Sequence, residues 1–393
     1  MIQGSPQKRL LSLAAIAVIA AACSTGGGAT VAPSVAAPSA SASSAASGEP
    51  SSAAPSQAAK QYKIGYSNGG GVGNGFREEQ VCTAKAQATA SGQVSELIVK
   101  HRNTDAAGQA SDIRDLIAAG VDAIVFNPND PEALNPALAE AKAAGIKTVS
   151  VDAFVTDPDT YNLYNNQIKY AEIGAKWLFD QLGGTGTVWY TRGIAGNPAD
   201  SDRDTGFKNV LKDYPGIKVV PNADGVFTKW DPAEATRVTD DFLAGGQYDQ
   251  IQGIWASGMG KQIIDSIKKA NKKFVPIADA DVGGFVTQLL DPTGFPDLKG
   301  AAVTNTAAVG GAGITLALKL LNGEQVQTDA SAGHPNTVLL DPVLVDNTSD
   351  AGKTELKAWQ SVPGMDPLWP LSLKIEGWTT YDPNTVPAAC KGA

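Results

Sequence analysis

From Gln61 onward, short apolar runs alternate with stretches of helical period. The apolar runs at 62–67, 96–101, 123–127, 147–152, 162–165, 186–191, 217–221, 252–256, 274–278, 301–305 and 337–347 predict strands. Between them lie helical patterns. Residues 106–119 set Ala110, Ile113, Ile117 and Ala118 on one stripe, which Gly120 stops. A second pattern over 132–144 stops at Gly145, and Asp231-Pro232 opens another helix with an N-cap aspartate and proline at the first helical position. Strands alternating with helices predict parallel sheets covered by helices on both faces, an α/β fold. The stretch from Gln61 is long enough for two ordinary domains.

Sheets of this kind take ligands outside the carboxyl ends of their strands. Polar residues recur at those ends: Asn68 and Asn74 after the first strand, Asn127 and Asp130 after the third, and Asp152 after the fourth. The later strands end in Arg192, Ser257, Asp281 and Asn305. A single polar residue at a turn means little, because turns favour Asn and Asp anyway. The signal is the repetition from strand to strand.

The N-terminal part follows a different pattern. Lys8 and Arg9 precede an apolar stretch over 10–22 that only Ser12 interrupts. It is too short for a stable membrane span and reads as the core of a signal peptide covering residues 1–22. Ala20-Ala21-Ala22-Cys23 resembles a bacterial lipobox, with Ala20 where a larger aliphatic residue is usual. Cys23 is therefore the expected lipidation site, the alternative being an ordinary secretory signal with an incidental cysteine. Residues 23–60 are nearly all Ala, Ser, Gly, Pro, Thr and Val, a composition that cannot bury enough apolar surface to fold. Such a tether spans about 30 Å. No later apolar run approaches the roughly 20 residues that a membrane span needs.

Net charge is −9, or −11 once the two cations of the signal segment are removed. With no basic cluster, nucleic-acid binding is not expected. Of the three cysteines, Cys82 and Cys390 remain after Cys23 is set aside. An even pair in an exported domain favours a disulfide, which would tie the first helix to the C-terminal tail; two separate buried thiols are the alternative.

Four stretches carry a family resemblance: Lys63-Ile-Gly-Tyr-Ser-Asn68 with Asn74-Gly-Phe-Arg77, the run from Asp112 to Pro128, Val149-Ser-Val-Asp152, and the run from Arg192 to Phe207. Their order is similar to that of the type I periplasmic-binding proteins of the ribose and galactose type, which share their fold with repressors of the lactose-repressor type. The resemblance implies two Rossmann-like three-layer α/β/α lobes joined by a three-strand hinge, with a ligand in the cleft between them. The crossings are expected near 164–167, 305–307 and 343–347. The N-terminal lobe then holds 61–164 and 306–344, the C-terminal lobe 165–305 and 345–360, and the tail 361–393. By the same resemblance Asn74, Phe76, Arg77, Asp152, Arg203, Asp281 and Asn305 line the cleft. The ribose type has an arginine after the aspartate matched by Asp152, where this chain has Ala153, and its tail is shorter than the one here, which holds Trp359, Trp369 and Trp378.

A sugar offers many hydroxyls and two weakly apolar faces. Asp152 and Asp281 suit the acceptor role, Arg77 and Arg203 that of forked donors, and Phe76 or Trp230 that of a stacking plate. Trp255 ends an apolar run and reads more as core than as cleft. Asn68, Asn127, Arg192 and Ser257 complete the expected ligand-binding set from their places at strand ends. No catalytic set accompanies these residues. The glycine-rich run over 69–75 fits no dinucleotide frame, Ser257 lacks a hydrolase elbow, and the two histidines and few cysteines have no metal-binding spacing. The expectation is a monomeric extracytoplasmic lipoprotein, not an enzyme and without metal or cofactor. It would deliver a monosaccharide-like ligand to an ABC transporter permease and meet the membrane only through its lipid. A different polar solute, a signalling furanose, or a sensor role for a membrane receptor are the alternatives.

Overall fold

The computed structural model describes residues 60–70, 74–329 and 332–390. The expected signal segment, Cys23 and the linker up to residue 59 lie outside the described residues.

The first sheet is built from β1 (Tyr62–Asn68), β2 (Val94–His101), β3 (Ala123–Asn127), β4 (Lys147–Val151), β5 (Tyr161–Asn165) and the distant β12 (Thr337–Leu340). Their order is β12-β5-β4-β3-β1-β2, and every pairing is parallel. The strands are apolar on both faces because helices cover both. In β3, Ala123 and Val125 join a core with α1 (Gly75–Ser91) and α9 (Val309–Leu321), whereas Ile124 and Phe126 join one with α2 (Ala106–Ala118) and α3 (Asn135–Ala143).

The second sheet contains β6 (Thr185–Arg192), β7 (Gly216–Val220), β8 (Val226–Phe227), β9 (Gly253–Ala256), β10 (Ile277–Ala280), β11 (Gly300–Val303) and β13 (Leu344–Asp346). The order is β13-β11-β10-β9-β6-β7, with β8 beside β6 and β13 the antiparallel edge. In β6, Val188 and Tyr190 face α4 (Gln167–Gln181) and α5 (Pro198–Leu211). Trp189 points the other way, stacked on Phe242 of α6 (Pro232–Ala244) with ring centroids 4.4 Å apart. The helices α7 (Gly260–Lys269), α8 (Gly283–Leu289) and α10 (Asp350–Trp359) send residues into that same core.

The chain passes between the sheets at Asn166, over residues 304–308 and over residues 341–343. The last two passes are bonded to each other, Thr304 N to Val343 O and Val343 N to Thr304 Oγ1, both at 2.8 Å. The strand expected over 337–347 is thus two strands in different sheets. Pro342 has no amide to extend the first ladder, so the third pass precedes the 343–347 expected for it, and Leu344 already belongs to the second sheet. Pro276 likewise delays β10 beyond the expected 274–278.

The tail makes a fourth connection. Gly283 N and Gly284 N donate to Trp369 O and Pro367 O, and Leu371 N donates to Asp281 O, all beside the second sheet. At the hinge, Thr306 Oγ1 donates to Ser372 O. Beyond it, Leu373, Tyr381 and Val386 pack with Cys82 and Ala86 of α1, and Gln87 exchanges hydrogen bonds with Thr380. Cys390, just after the short α11 (Val386–Ala389), is disulfide-bonded to Cys82 across 308 positions.

Candidate functional site

The carboxyl ends of both sheets open onto one cavity of about 760 Å³. Its wall takes residues from the loops after β1, β3 and β4 on one side and after β6, β9 and β10 on the other. Gln167 and Asn305 line it at two of the passes, and Leu368 and Pro370 line it from the tail.

On the first-lobe side, α1 starts at Asn74, whose side chain caps the helix by accepting from Arg77 N at 3.2 Å. Arg77 then sits one turn into the helix and faces the cavity. Buried Asn68 fixes it twice, donating to Arg77 O at 2.8 Å and accepting from Arg77 Nη1 at 3.2 Å. Asp152 follows β4 with φ of 68°, a conformation that carries strain for an aspartate and is held by the surroundings. Asn127 donates to its Oδ2 at 3.1 Å and to Gln80 Oε1 at 2.8 Å. Burial pushes the Asp152 carboxyl up, opposed by the Arg77 guanidinium and the Asn127 bond. Burial pulls Arg77 down, with Asp152 opposing.

On the second-lobe side, Arg203 of α5 is 4% exposed. Its guanidinium lies 4.2 Å from the Tyr170 ring and 5.4 Å from the Trp230 ring. Nε donates to Gln167 Oε1 at 2.8 Å, and Gln167 Nε2 donates onward to Asn305 Oδ1 at 2.9 Å. Asn305 N in turn donates to Asp281 Oδ1, and Ser372 N to Asp281 Oδ2, both at 2.9 Å. One chain of hydrogen bonds therefore runs from Arg203 through two hinge passes into the tail. Half-buried Trp230 is anchored by its indole nitrogen to Ser257 O at 2.6 Å. Glycine at position 193 lets the Trp230 ring lie against this loop, since a Cβ there would meet the ring at 2.0 Å and displace it.

The structure brings Asn74, Phe76, Arg77, Asp152, Arg203, Trp230 and Asn305 to the cavity wall. It places Asn68 and Asn127 one layer behind, as the residues that aim Arg77 and Asp152. Ser257 contributes its carbonyl to Trp230 rather than its hydroxyl to the cavity. Asp281 is fully buried and holds the hinge to the tail through backbone amides; desolvation raises its carboxyl to about 6. Arg192 lies off the cavity, paired with Asp200 at 2.5 Å and stacked on Phe227, because Asp200 also ties Gly193 N and so shapes the loop. Trp255 is core, 2% exposed and edge-on to Tyr170. Asp130, noted after the third strand but left out of the ligand-binding set, lines the cavity, and so do Gln167, Asn129, Lys229, Leu368 and Pro370, which were not expected there. The place of Gln167 inside the first expected crossing was a usable signal; the tail residues offered none. Among the described residues no cluster of His, Cys, Asp or Glu could hold a metal ion, and no helix is long and apolar enough to cross a membrane.

Two parallel-sheet lobes that aim their strand ends at one polar cavity define a hinged receptor for small solutes. Residues 64–325 match the family described as periplasmic binding protein domain, and the chain belongs to that family. Over 237 residues it is 30% identical to the xylitol-binding protein of Mycolicibacterium smegmatis, a match covering 60% of this chain and 66% of that protein. It is 25% identical over 239 residues to the ribose import binding protein of Bacillus subtilis, covering 60% and 75%. Among solved structures, an ABC transporter solute binding protein from Thermobispora bispora superposes with a TM-score of 0.65 at 25% identity, over 79% of this chain and 90% of that one. The family is one of extracytoplasmic solute-binding proteins, not of enzymes. Its match ends at residue 325, before β12, β13 and the tail.

Proposed function

We propose that this protein is the lipid-anchored receptor of an ABC importer and captures a monosaccharide or a related polyol in the cavity between its lobes. The observation that carries the reading is convergence. Arg77 and Asp152 from one lobe and Arg203 from the other, with Gln167 and Asn305 from the hinge, all reach the same cavity. A carboxylate accepts from two neighbouring hydroxyls, and a guanidinium donates in a fork, so opposed charges of this kind suit a ligand that carries hydroxyls all round. Phe76 and Trp230 supply faces for its C–H surfaces. A ligand held by both lobes stabilises the closed state over the open one, and the permease reads the closed shape. The relatives named for xylitol and ribose support a small polyol. The lipid anchor rests on Cys23 at the end of the apolar leader, and an exported domain is where a Cys82–Cys390 disulfide persists. The domain acts as a monomer.

Titration calorimetry of protein refolded free of carried-over ligand, against pentoses, hexoses and alditols, tests the reading. Binding of one or a few of them at micromolar strength is expected, together with a more compact scattering profile. If amino acids or nucleosides bind and no sugar or polyol does, the ligand class is wrong. Cys23→Ser should release the protein from the membrane fraction; continued retention would remove the lipid anchor.

A further inference from the structure

Among the described residues the exposed large apolar side chains are Ile168, Ile194, Val343 and Leu368. Two of them, Ile194 and Leu368, line the cavity, at 42% and 37% exposure. Exposed apolar surface gathered at a cleft marks a contact site. Leu368 comes from the tail, a segment beyond the family match, and its position is fixed from both lobes. On one side, Trp369 O and Pro367 O accept from Gly283 N at 2.8 Å and Gly284 N at 2.7 Å. On the other, the Trp369 indole lies against the start of α1, where a Cβ added to Gly75 would be 2.5 Å from its Cδ1. Leu368 is thus held as a rigid part of the cavity wall rather than as a loose loop tip.

We infer that Leu368 is a specificity-determining residue of the cavity, selecting a sugar or polyol whose edge toward the tail lacks a hydroxyl. The inference rests on the sugar reading above. The polar groups Asp152, Arg77, Arg203 and Asn305 come from the strand ends and hinge and serve the hydroxyl-bearing parts of such a ligand. A hydroxyl pressed on Leu368 loses its water and gains no partner, whereas a methyl or bare C–H edge loses nothing. Ile194 extends the same apolar character from the second lobe.

The test is calorimetry of the full chain with matched pairs that differ by one hydroxyl: D-galactose with D-fucose, L-mannose with L-rhamnose, and D-ribose with 5-deoxy-D-ribose. The wild-type protein should prefer the deoxy member of the pair it binds by roughly ten- to hundredfold. Leu368→Asn should cut that preference below about threefold, and Leu368→Val should keep it, with melting temperatures confirming that both variants fold. If Leu368→Asn is unstable, Leu368→Thr serves the same purpose. An unchanged ratio in the polar variant, or a wild-type preference for the hydroxylated partner, overturns the inference while leaving the sugar reading intact. Silence of the wild-type protein toward every member of the pairs and toward other sugars overturns both.

Discussion

The two walls of the cavity hold their charges by different means. On the first-lobe wall, Arg77 and Asp152 are opposite charges that offset each other, and each is aimed by the side-chain amide of a buried asparagine. On the second-lobe wall, the hydrogen-bond partners of Arg203 are the neutral groups Gln167 Oε1 and Ser257 O, and its faces are covered by aromatic rings. Asp279 and Asp281, whose carboxylates feel the Arg203 charge as Asp152 does, turn their oxygens to backbone amides rather than to the guanidinium. A guanidinium left uncompensated by direct contact keeps its attraction for a ligand oxygen, whereas a paired one has already spent part of it. On the proposed function, this asymmetry predicts a tighter grip from the second lobe and a finer orientation from the first.

The largest expected effect breaks that comparison most directly. Arg203→Ala should weaken ligand binding by more than about a hundredfold and Arg77→Ala by only about tenfold, within the range for hydrogen bonds to charged groups. Equal losses by calorimetry would show that the walls share the load. Next comes the strap that ties the walls together. Cys82→Ser, or reduction of the wild-type protein, should lower stability by about 2–5 kcal/mol, read by urea unfolding with and without reductant; an unchanged midpoint would mean that packing alone holds the tail.

A smaller effect follows from pH. Desolvation raises Asp279 to about 7 and Asp281 to about 6, and raises buried Glu79 well above the ordinary carboxylate range. Between about pH 4 and 7 the folded chain keeps protons that the unfolded chain has released. Stability should therefore fall as pH rises through that window, giving a higher melting temperature at pH 5 than at pH 8. Exposed pairs such as Glu234 with Arg237, where the carboxyl is lowered to about 2, act in the opposite sense only below about pH 4.5. A flat profile from pH 5 to 8 would mean that these carboxyls are already ionised in the fold. The smallest effect is local: Gly193→Ala displaces the Trp230 ring and should weaken binding about threefold to tenfold with little change in unfolding midpoint, because the ring is half-buried and its loop can yield.

Most elements of both sheets were legible because strands covered on both faces are short apolar runs and glycines mark the ends of several helices between them, whereas the two-residue β8 is too short to show such a run and was not expected. The run over 337–347 misled because its two halves are equally apolar yet serve different sheets; only Pro342 hinted at the break. At the site, Arg77, Asp152 and Arg203 could be found because each follows a strand or sits in a motif with a fixed place in the fold. Arg192 and Asp281 fitted the same pattern and were drawn off it by buried partners, Asp200 for one and the amides of Asn305 and Ser372 for the other. No local pattern announces Leu368, since residues far away in sequence, Gly283 of α8 and Gly75 of α1, decide where it sits.

The Cys82–Cys390 bond encloses all three passes between the lobes within one covalent ring. A protease acting outside the cell can cut any one exposed loop between those cysteines and still leave a single molecule, with the lobes joined through the remaining passes and the tail. Severing the receptor from its own second half would take two cuts, or one cut and a reductant, so nicked protein stays whole in an oxidising environment.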